Sequence, residues 1–390
     1  MFRKVVISSL LIILLLVIQA GMSPWVNAQE FDLDALSAIL IEAETGNILY
    51  EKNADEKLPP ASITKIMAML LTMEEIESGD LSLDDEVTIS ESAASMGGSQ
   101  IYLGKGVKVT VEDLLKAVTI ASANDASVAL GEVVAGNYER FINMMNERAE
   151  ELGMENTYFS NSTGLPTESK HHSTARDIAI MSRELVKYQQ ILDWASIWVD
   201  YVELPDRRAM LSNTNKLIRD YPGLDGLKTG HTEEAGFCLA ATASRNNLRL
   251  VSVVLKTESE EARQKLTSQL LDYGFNRFVK QEYIAEEEKI QNIKIPEGKQ
   301  RYLTGEIENA LKIVVKRGRE SEVEGEIVLD EKLSAPVEEG EVVGEYRAVL
   351  DDNVINSVDI LASEDIERAN IFVRLWRKFV NWIGGILENI

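Results

Sequence analysis

Near residue 278 the sequence changes texture, and no other feature constrains the fold more. Before that point, apolar residues recur at helical spacing over long stretches; after it, short β-rich runs such as residues 311–316 and 325–329 alternate with turns containing glycine, proline and acid. At 390 residues the chain exceeds the roughly 150 residues of an ordinary domain. The break therefore predicts a mixed unit over residues 29–279 and an all-β unit over residues 280–362.

Within the first unit, residues 36–43 form an apolar run, Glu44-Thr45-Gly46-Asn47 is a turn, and residues 48–50 resume the run, as in a hairpin. Pro59 and Pro60 then hold the chain extended, because the residue before a proline is pushed out of the helical region. A helix is expected only beyond them. Over residues 62–77, Ile66, Met69, Leu70 and Met73 repeat at helical spacing, and Gly79 closes the segment. Further helices are expected over residues 111–121, 126–135, 138–152 and 260–273, and strands over 237–243 and 248–256. Strands at both ends with helices between them predict an α+β fold, an antiparallel sheet flanked by helices in which the first and last strands meet.

Both termini carry targeting features. Met1-Phe2-Arg3-Lys4, an apolar run over residues 5–20 and then Val26-Asn27-Ala28 have the order of a secretory leader, charged, apolar, then a small-residue cleavage site. The run is shorter than the ~20 residues a spanning helix needs, so residues 1–28 are expected to be a signal peptide and the protein to be exported. At the other end, residues 363–390 are expected to form an amphipathic helix. Ile371, Phe372, Leu375, Trp376, Phe379, Trp382, Ile383, Ile386 and Leu387 fall on one face, and Arg374, Arg377, Lys378 and Asn381 fall opposite. Aromatics on one side and cations on the other suit peripheral attachment to the outer face of the cell membrane. A helix packed on the protein's own body would have the same pattern.

Charge and cysteine content narrow the partners. A net charge of -24 leaves nothing to displace counterions from a phosphate backbone, which excludes nucleic acid. The single cysteine, Cys238, excludes a disulfide framework and a cysteine-rich zinc site. Neither a metal nor a cofactor is called for.

Ser62-Ile63-Thr64-Lys65 places a hydroxyl and an amine on one face at the start of a helix. A lysine there takes the serine proton if burial or a neighbouring cation keeps it neutral, although a capping serine and a solvated lysine would give the same pattern. Ser122-Ala123-Asn124 supplies a second hydroxyl and an amide; Ser244-Arg245-Asn246 matches that pattern too. Lys228-Thr229-Gly230, followed by His231, precedes an expected strand. On an edge strand the lysine and threonine suit a carboxylate, and the glycine permits close backbone approach.

Taken in this order, Ser-x-x-Lys, Ser-x-Asn and Lys-Thr-Gly resemble the motif set of the penicillin-recognising serine enzymes. Gly97-Gly98-Ser99-Gln100-Ile101-Tyr102-Leu103, Thr163-Gly164-Leu165-Pro166, His172-Ser173-Thr174-Ala175-Arg176-Asp177 and Asn213-Thr214-Asn215-Lys216-Leu217 are similar to segments of the low-molecular-mass penicillin-binding proteins that act as D-alanyl-D-alanine carboxypeptidases. The resemblance runs from about residue 35 to 280 and implies a transpeptidase-like fold. It also implies an acyl-enzyme on Ser62, with Lys65 as base and Ser122 relaying a proton to the leaving amine. Asn124 would hold the substrate amide, and Lys228 and Thr229 its terminal carboxylate. Gly230 would line the substrate strand, and the backbone N–H groups of Ser62 and His231 would form the oxyanion hole. The implied partners are a peptidoglycan peptide ending in D-Ala-D-Ala and, as acylating inhibitors, β-lactams. His171 and His172 are expected to pack a loop, and Cys238 to fill core.

Two relatives of that chemistry compete. A D,D-endopeptidase would use the same nucleophile on cross-linked peptides. A β-lactamase of class A would carry a Glu-x-x-Leu-Asn loop, which Glu151-Leu152-Gly153-Met154-Glu155-Asn156 does not match. From another class, a catalytically silent wall-binding protein would keep the motifs only for architecture.

Overall fold

The computed structural model describes residues 31–167, 170–377 and 379; the expected leader and residues 380–390 lie outside them, and the helix expected over residues 363–390 begins only at 371, because Ile366 and Arg368 bridge to Val337 and Gly298 of the β-rich region instead. A compact unit begins at Leu33. In it, β1 (Ser37–Glu42) and β2 (Ile48–Lys52) form the expected hairpin. β3 (Leu224–Thr232), β4 (Gly236–Arg245) and β5 (Leu248–Thr257) complete an antiparallel sheet of order β2-β1-β5-β4-β3. The first and last strands of this part of the chain do meet, as β1 against β5.

Every residue of β1 is buried, so both faces of the sheet must be covered. Because successive side chains point to opposite faces, Ile39 and Ile41 join the core containing Ile178 and Met181 of α5 (Ala175–Leu185). Leu40 and Leu250 face α7 (Glu260–Arg277) instead. Gly274 of α7 lies where a Cβ would come within 2.5 Å of Leu250 and 2.8 Å of Leu40, so its lack of a side chain lets the helix sit directly on the sheet. The same core holds α1 (Lys65–Ser78), α2 (Val111–Ala121), α3 (Asn124–Ala135) and α4 (Tyr138–Glu151), close to the helices expected from periodicity. Cys238 fills core as expected, and burial pushes its thiol up to about 11.

Several elements were not expected, among them α5, α6 (Gln189–Ala195), a hairpin of Val199–Leu204 with Arg207–Ser212, and β3, which contains Lys228-Thr229-Gly230 where the motif was read as preceding a strand. The Thr174 hydroxyl caps α5 by accepting from the Asp177 N–H, a start signal that is plain in the sequence once the helix is known. A second difference bears on the site. The segment at Ser62 begins as a 3-10 turn, Ala61–Thr64, and α1 starts only at Lys65.

From β6 (Phe278–Ile284) onward the chain is β-rich. β6 pairs with β9 (Leu311–Lys316). β7 (Lys289–Lys294), β8 (Tyr302–Ile307), β10 (Glu324–Leu329), β11 (Val342–Leu350) and β12 (Asn353–Ala362) form a sheet of order β7-β8-β12-β11-β10. This region has its own core, including Ile293, Leu303, Ile313, Val343 and Ile360. Lys280 of β6 ties it to the first region: its Nζ lies 2.8 Å from Oε1 of the fully buried Glu42 and also bonds Glu44, while Lys312 reaches Glu44 at 2.9 Å.

Candidate active site

Pro60 leads into Ala61, which sits in the left-handed region at φ +47, and the turn then presents Ser62 half-buried at a cleft. One turn on, Lys65 is fully buried, with its Nζ 2.9 Å from Ser62 Oγ and 2.8 Å from the Thr163 carbonyl. Burial first, then the nearby Lys228 charge, pushes Lys65 well below the ordinary lysine range; Asp125 opposes them. Among the described residues, no carboxylate bonds its amine. Asp125 instead accepts backbone N–H bonds from Ile101, Leu103 and Ala126, which pins the 97–103 segment over the site.

Ser122 occupies the break between α2 and α3, at φ +61, where Asn124 starts a new helix. The Asn124 Nδ2 donates to the Gly97 carbonyl at 2.7 Å, and its backbone N–H donates to Ser99. Its Oδ1 is buried without a partner, an acceptor left over for an incoming N–H.

The third motif lies on β3, an edge strand of the five-stranded sheet. At Gly230 a Cβ would stand 2.8 Å from the Pro60 carbonyl, so only glycine lets this strand run so close to the serine turn. Thr229 Oγ1 donates to Thr214 Oγ1 at 2.7 Å. Lys228 is buried, and burial with the Arg263 charge lowers it to about 7. The His231 ring is exposed against Phe237, at 4.1 Å between centroids. Ser62, Ser122, Thr229, Gly230 and His231 line one cavity of about 300 Å³, and Arg263 and Thr214 share its wall. Lys65, Asn124 and Lys228 are buried residues behind these side chains.

The sequence thus locates every motif residue at or against one cleft, but it did not assign roles to four others. Asp125 holds the 97–103 segment, Thr163 orients Lys65, Thr214 supports Thr229, and Arg263 adds a nearly buried cation. Asp125 directly follows the Ser-x-Asn motif, and a carboxylate at the first turn of a helix after an apolar run was its available signal.

Comparison with known proteins identifies the family. The D-alanyl-D-alanine carboxypeptidase family matches residues 25–259, and the penicillin-binding protein 5, C-terminal domain family matches residues 278–368. The D-alanyl-D-alanine carboxypeptidase DacF of Bacillus subtilis is 40% identical over 358 residues, covering 91% of this chain and 92% of that one. DacC of Escherichia coli is 32% identical, covering 90% of each. Penicillin binding protein 5 from Haemophilus influenzae superposes with a TM-score of 0.78 at 30% identity, over 87% of this chain and 99% of that one. Penicillin-binding protein D2 from Listeria monocytogenes, in its ampicillin-bound form, has a TM-score of 0.57 at 35% identity, over 63% of this chain and 98% of its own. By sequence and fold alike, the chain belongs to the D-alanyl-D-alanine carboxypeptidase family of serine peptidases.

Proposed function

We propose that this carboxypeptidase works through an acyl-enzyme on Ser62. The observation that carries the reading is the 2.9 Å contact between Ser62 Oγ and a fully buried Lys65 that no carboxylate bonds. A neutral amine has one lone pair and two N–H groups. One N–H serves the Thr163 carbonyl, and the lone pair accepts the Ser62 proton as Oγ attacks the carbonyl between the terminal D-alanines. The oxyanion is received by the backbone N–H groups of Ser62 and His231. The proton passes by way of Ser122 to the departing amine, and free D-alanine leaves. Water then attacks the ester, giving the shortened peptide's carboxylate and restoring the Ser62 hydroxyl. Asn124 holds the substrate amide; Lys228 and Thr229, beside Gly230, hold its terminal carboxylate. β-Lactams enter the same cycle and acylate Ser62.

Three substrates test this reading: a peptidoglycan pentapeptide ending in D-Ala-D-Ala, a cross-linked dimer, and a penicillin. D-Alanine released from the pentapeptide, with the dimer left intact, is expected. Cleavage of the dimer would make the enzyme a D,D-endopeptidase, fast penicillin turnover a β-lactamase, and undiminished activity of Ser62→Ala would remove the nucleophile.

The division into residues 29–279, 280–362 and a terminal helix is part of the same proposal, as is export followed by peripheral attachment to the outer face of the cell membrane. No helix among the described residues is long and apolar enough to cross a membrane. Support for attachment comes from residues 371–377, which are helical. Arg374 bonds Glu297 at 2.6 Å and Arg377 bonds the Gly298 carbonyl, whereas Phe372, Leu375, Trp376 and Phe379 stay exposed. Among the described residues of this helix, Arg374 and Arg377 meet the protein while Phe372, Leu375 and Trp376 are exposed, the reverse of the pattern of a helix packed by its apolar side on its own body. Deleting residues 364–390 is expected to release active enzyme from phosphatidylglycerol vesicles; retention of the shortened protein would overturn the attachment.

A further inference from the structure

We infer that His171, outside all three motifs, is a positioning residue that sets the direction of the Ser62 backbone N–H. The inference rests on the acyl-enzyme reading above and concerns the same turn.

The hydrogen bonds fix the ring's tautomer. His171 Nδ1 lies 3.1 Å from the Ser160 backbone N–H, which can only donate, so Nδ1 carries no proton. The proton of the neutral imidazole is therefore on Nε2, where it is donated to Thr64 Oγ1 at 2.8 Å. Thr64, fully buried, has its own proton free and donates it to the Ala61 carbonyl, also at 2.8 Å. The chain runs one way only, from Ser160 through His171 and Thr64 to Ala61.

Its last acceptor is what matters. The Ala61 carbonyl and the Ser62 N–H belong to one peptide unit, and in a trans peptide they point in opposite directions. Holding the carbonyl toward Thr64 turns the N–H away from it, to the side where an oxyanion needs a donor. Something must hold that unit, because Ala61 has φ +47, a conformation a residue with a Cβ adopts only when its surroundings impose it. Gly164 closes the other flank: a Cβ there would lie 1.8 Å from the Ala61 carbonyl oxygen. Gly164 and its neighbour Thr163 belong to the same 160–167 segment that His171 anchors through Ser160, and Thr163 orients Lys65. One segment thus positions both the base and the oxyanion donor, and His171 ties it to the serine turn.

The experiment compares the full-length enzyme with Thr64→Val, Thr64→Ser, His171→Gln and His171→Ala. Penicillin acylation and turnover of an ester substrate and its thiono analogue are measured, alongside thermal melting. Thr64→Val, nearly isosteric, is expected to slow acylation roughly 10- to 100-fold with KM unchanged, by tilting one oxyanion donor without deleting it. Thr64→Ser keeps the hydroxyl and His171→Gln keeps an N–H donor, so both are expected to recover most of the rate. The preference for the oxygen over the sulfur ester should shrink in Thr64→Val and His171→Ala, because a misdirected N–H discriminates less between the two anions. A loop that was merely loosened would slow both esters alike, and that result overturns the inference, as does a Thr64→Val enzyme that acylates at the wild-type rate. If the wild-type protein released no D-alanine yet its penicillin acylation still followed this pattern, the substrate reading would fall and the role of His171 would stand.

Discussion

Lysines are buried in two regions of this protein, with opposite arrangements around them. At the junction with the β-rich region, the Lys280 side chain is 8% exposed and lies between Glu42 and Glu44, a charge held by opposite charges. In the cleft, Lys65 and Lys228 are as deeply buried, but their bonding partners are a serine hydroxyl and backbone carbonyls. Asp125, the carboxylate whose charge opposes the shift of Lys65, is occupied by backbone N–H groups. Burial alone does not distinguish them; the partners do. A buried lysine among carboxylates fastens two regions together, whereas Lys65, without them, is driven toward the neutral amine that a base must be.

The strongest challenge to that contrast is Lys65→Arg. A guanidinium does not deprotonate in a protein, so charge and approximate length are kept while the base is lost. Penicillin acylation is expected to fall by about 10²- to 10⁴-fold, measured by stopped-flow. In the wild type the rate should rise with pH as Lys65 loses its proton. An arginine enzyme that acylated at a comparable rate would mean that Lys65 acts only as a charge.

At the junction the expected effect is on stability. Lys280→Met removes the counter-charge of the fully buried Glu42, whose Oε2 still accepts from Thr45, and is expected to cost about 3 kcal/mol, with kcat unchanged at temperatures where the variant stays folded. Adding Glu42→Gln should return much of the loss, as denaturant melts would reveal. A fall in kcat without a fall in stability would mean that the two lysine sites are coupled.

How much of this was legible in the sequence follows the range of the interactions. Helix α2 was readable because its apolar repeat is local and Thr110 caps it through the Asp113 N–H. The β4–β5 hairpin was readable because two apolar runs flank Asn246 and Asn247, both at positive φ, where asparagine is tolerated. Helix α5 carried the same kind of local signal and was nonetheless missed: Ile178, Met181 and Leu185 repeat at helical spacing behind the Thr174 cap. In the site, the motif residues were legible by type and spacing. The role of Thr163 was not legible, because its function is a carbonyl placed against a lysine 98 residues earlier. Arg263 was missed for a like reason: its place beside the cleft depends on how α7 crosses the sheet.

His171 carries the contrast to lower pH. Burial, and then the charge of His172, holds it down to about 4 from 6.5, so the folded protein keeps the ring neutral where the unfolded chain already protonates it. Its contribution is therefore full above the unfolded value and is lost as pH falls from about 6.5 toward 4, by roughly 3 kcal/mol. His171→Gln should flatten that part of the stability–pH curve; an unchanged curve would mean that other groups set the acid limb. Lys228, at about 7, gives a smaller kinetic signature. If only its charged form takes the substrate carboxylate, kcat/KM should decline by about tenfold per pH unit above that value, and a flat profile would detach Lys228 from carboxylate binding.

The smallest effect is expected where cations are paired in water. Arg319, after β9, bonds Glu322 at 2.6 Å and Asp351 at 2.8 Å, and all three side chains are partly or largely exposed. Solvent already stabilises these charges, and fixing three flexible side chains offsets most of the attraction gained. Arg319→Gln should therefore leave melting temperature and D-alanine release close to wild type at ordinary salt. A large loss of stability would show that the number of ion pairs around a cation matters more than whether water reaches it. Little change, beside a large loss from Lys280→Met, would place the difference in burial: the same carboxylate partners matter at the junction because water is absent there, and their absence around Lys65 matters for the same reason.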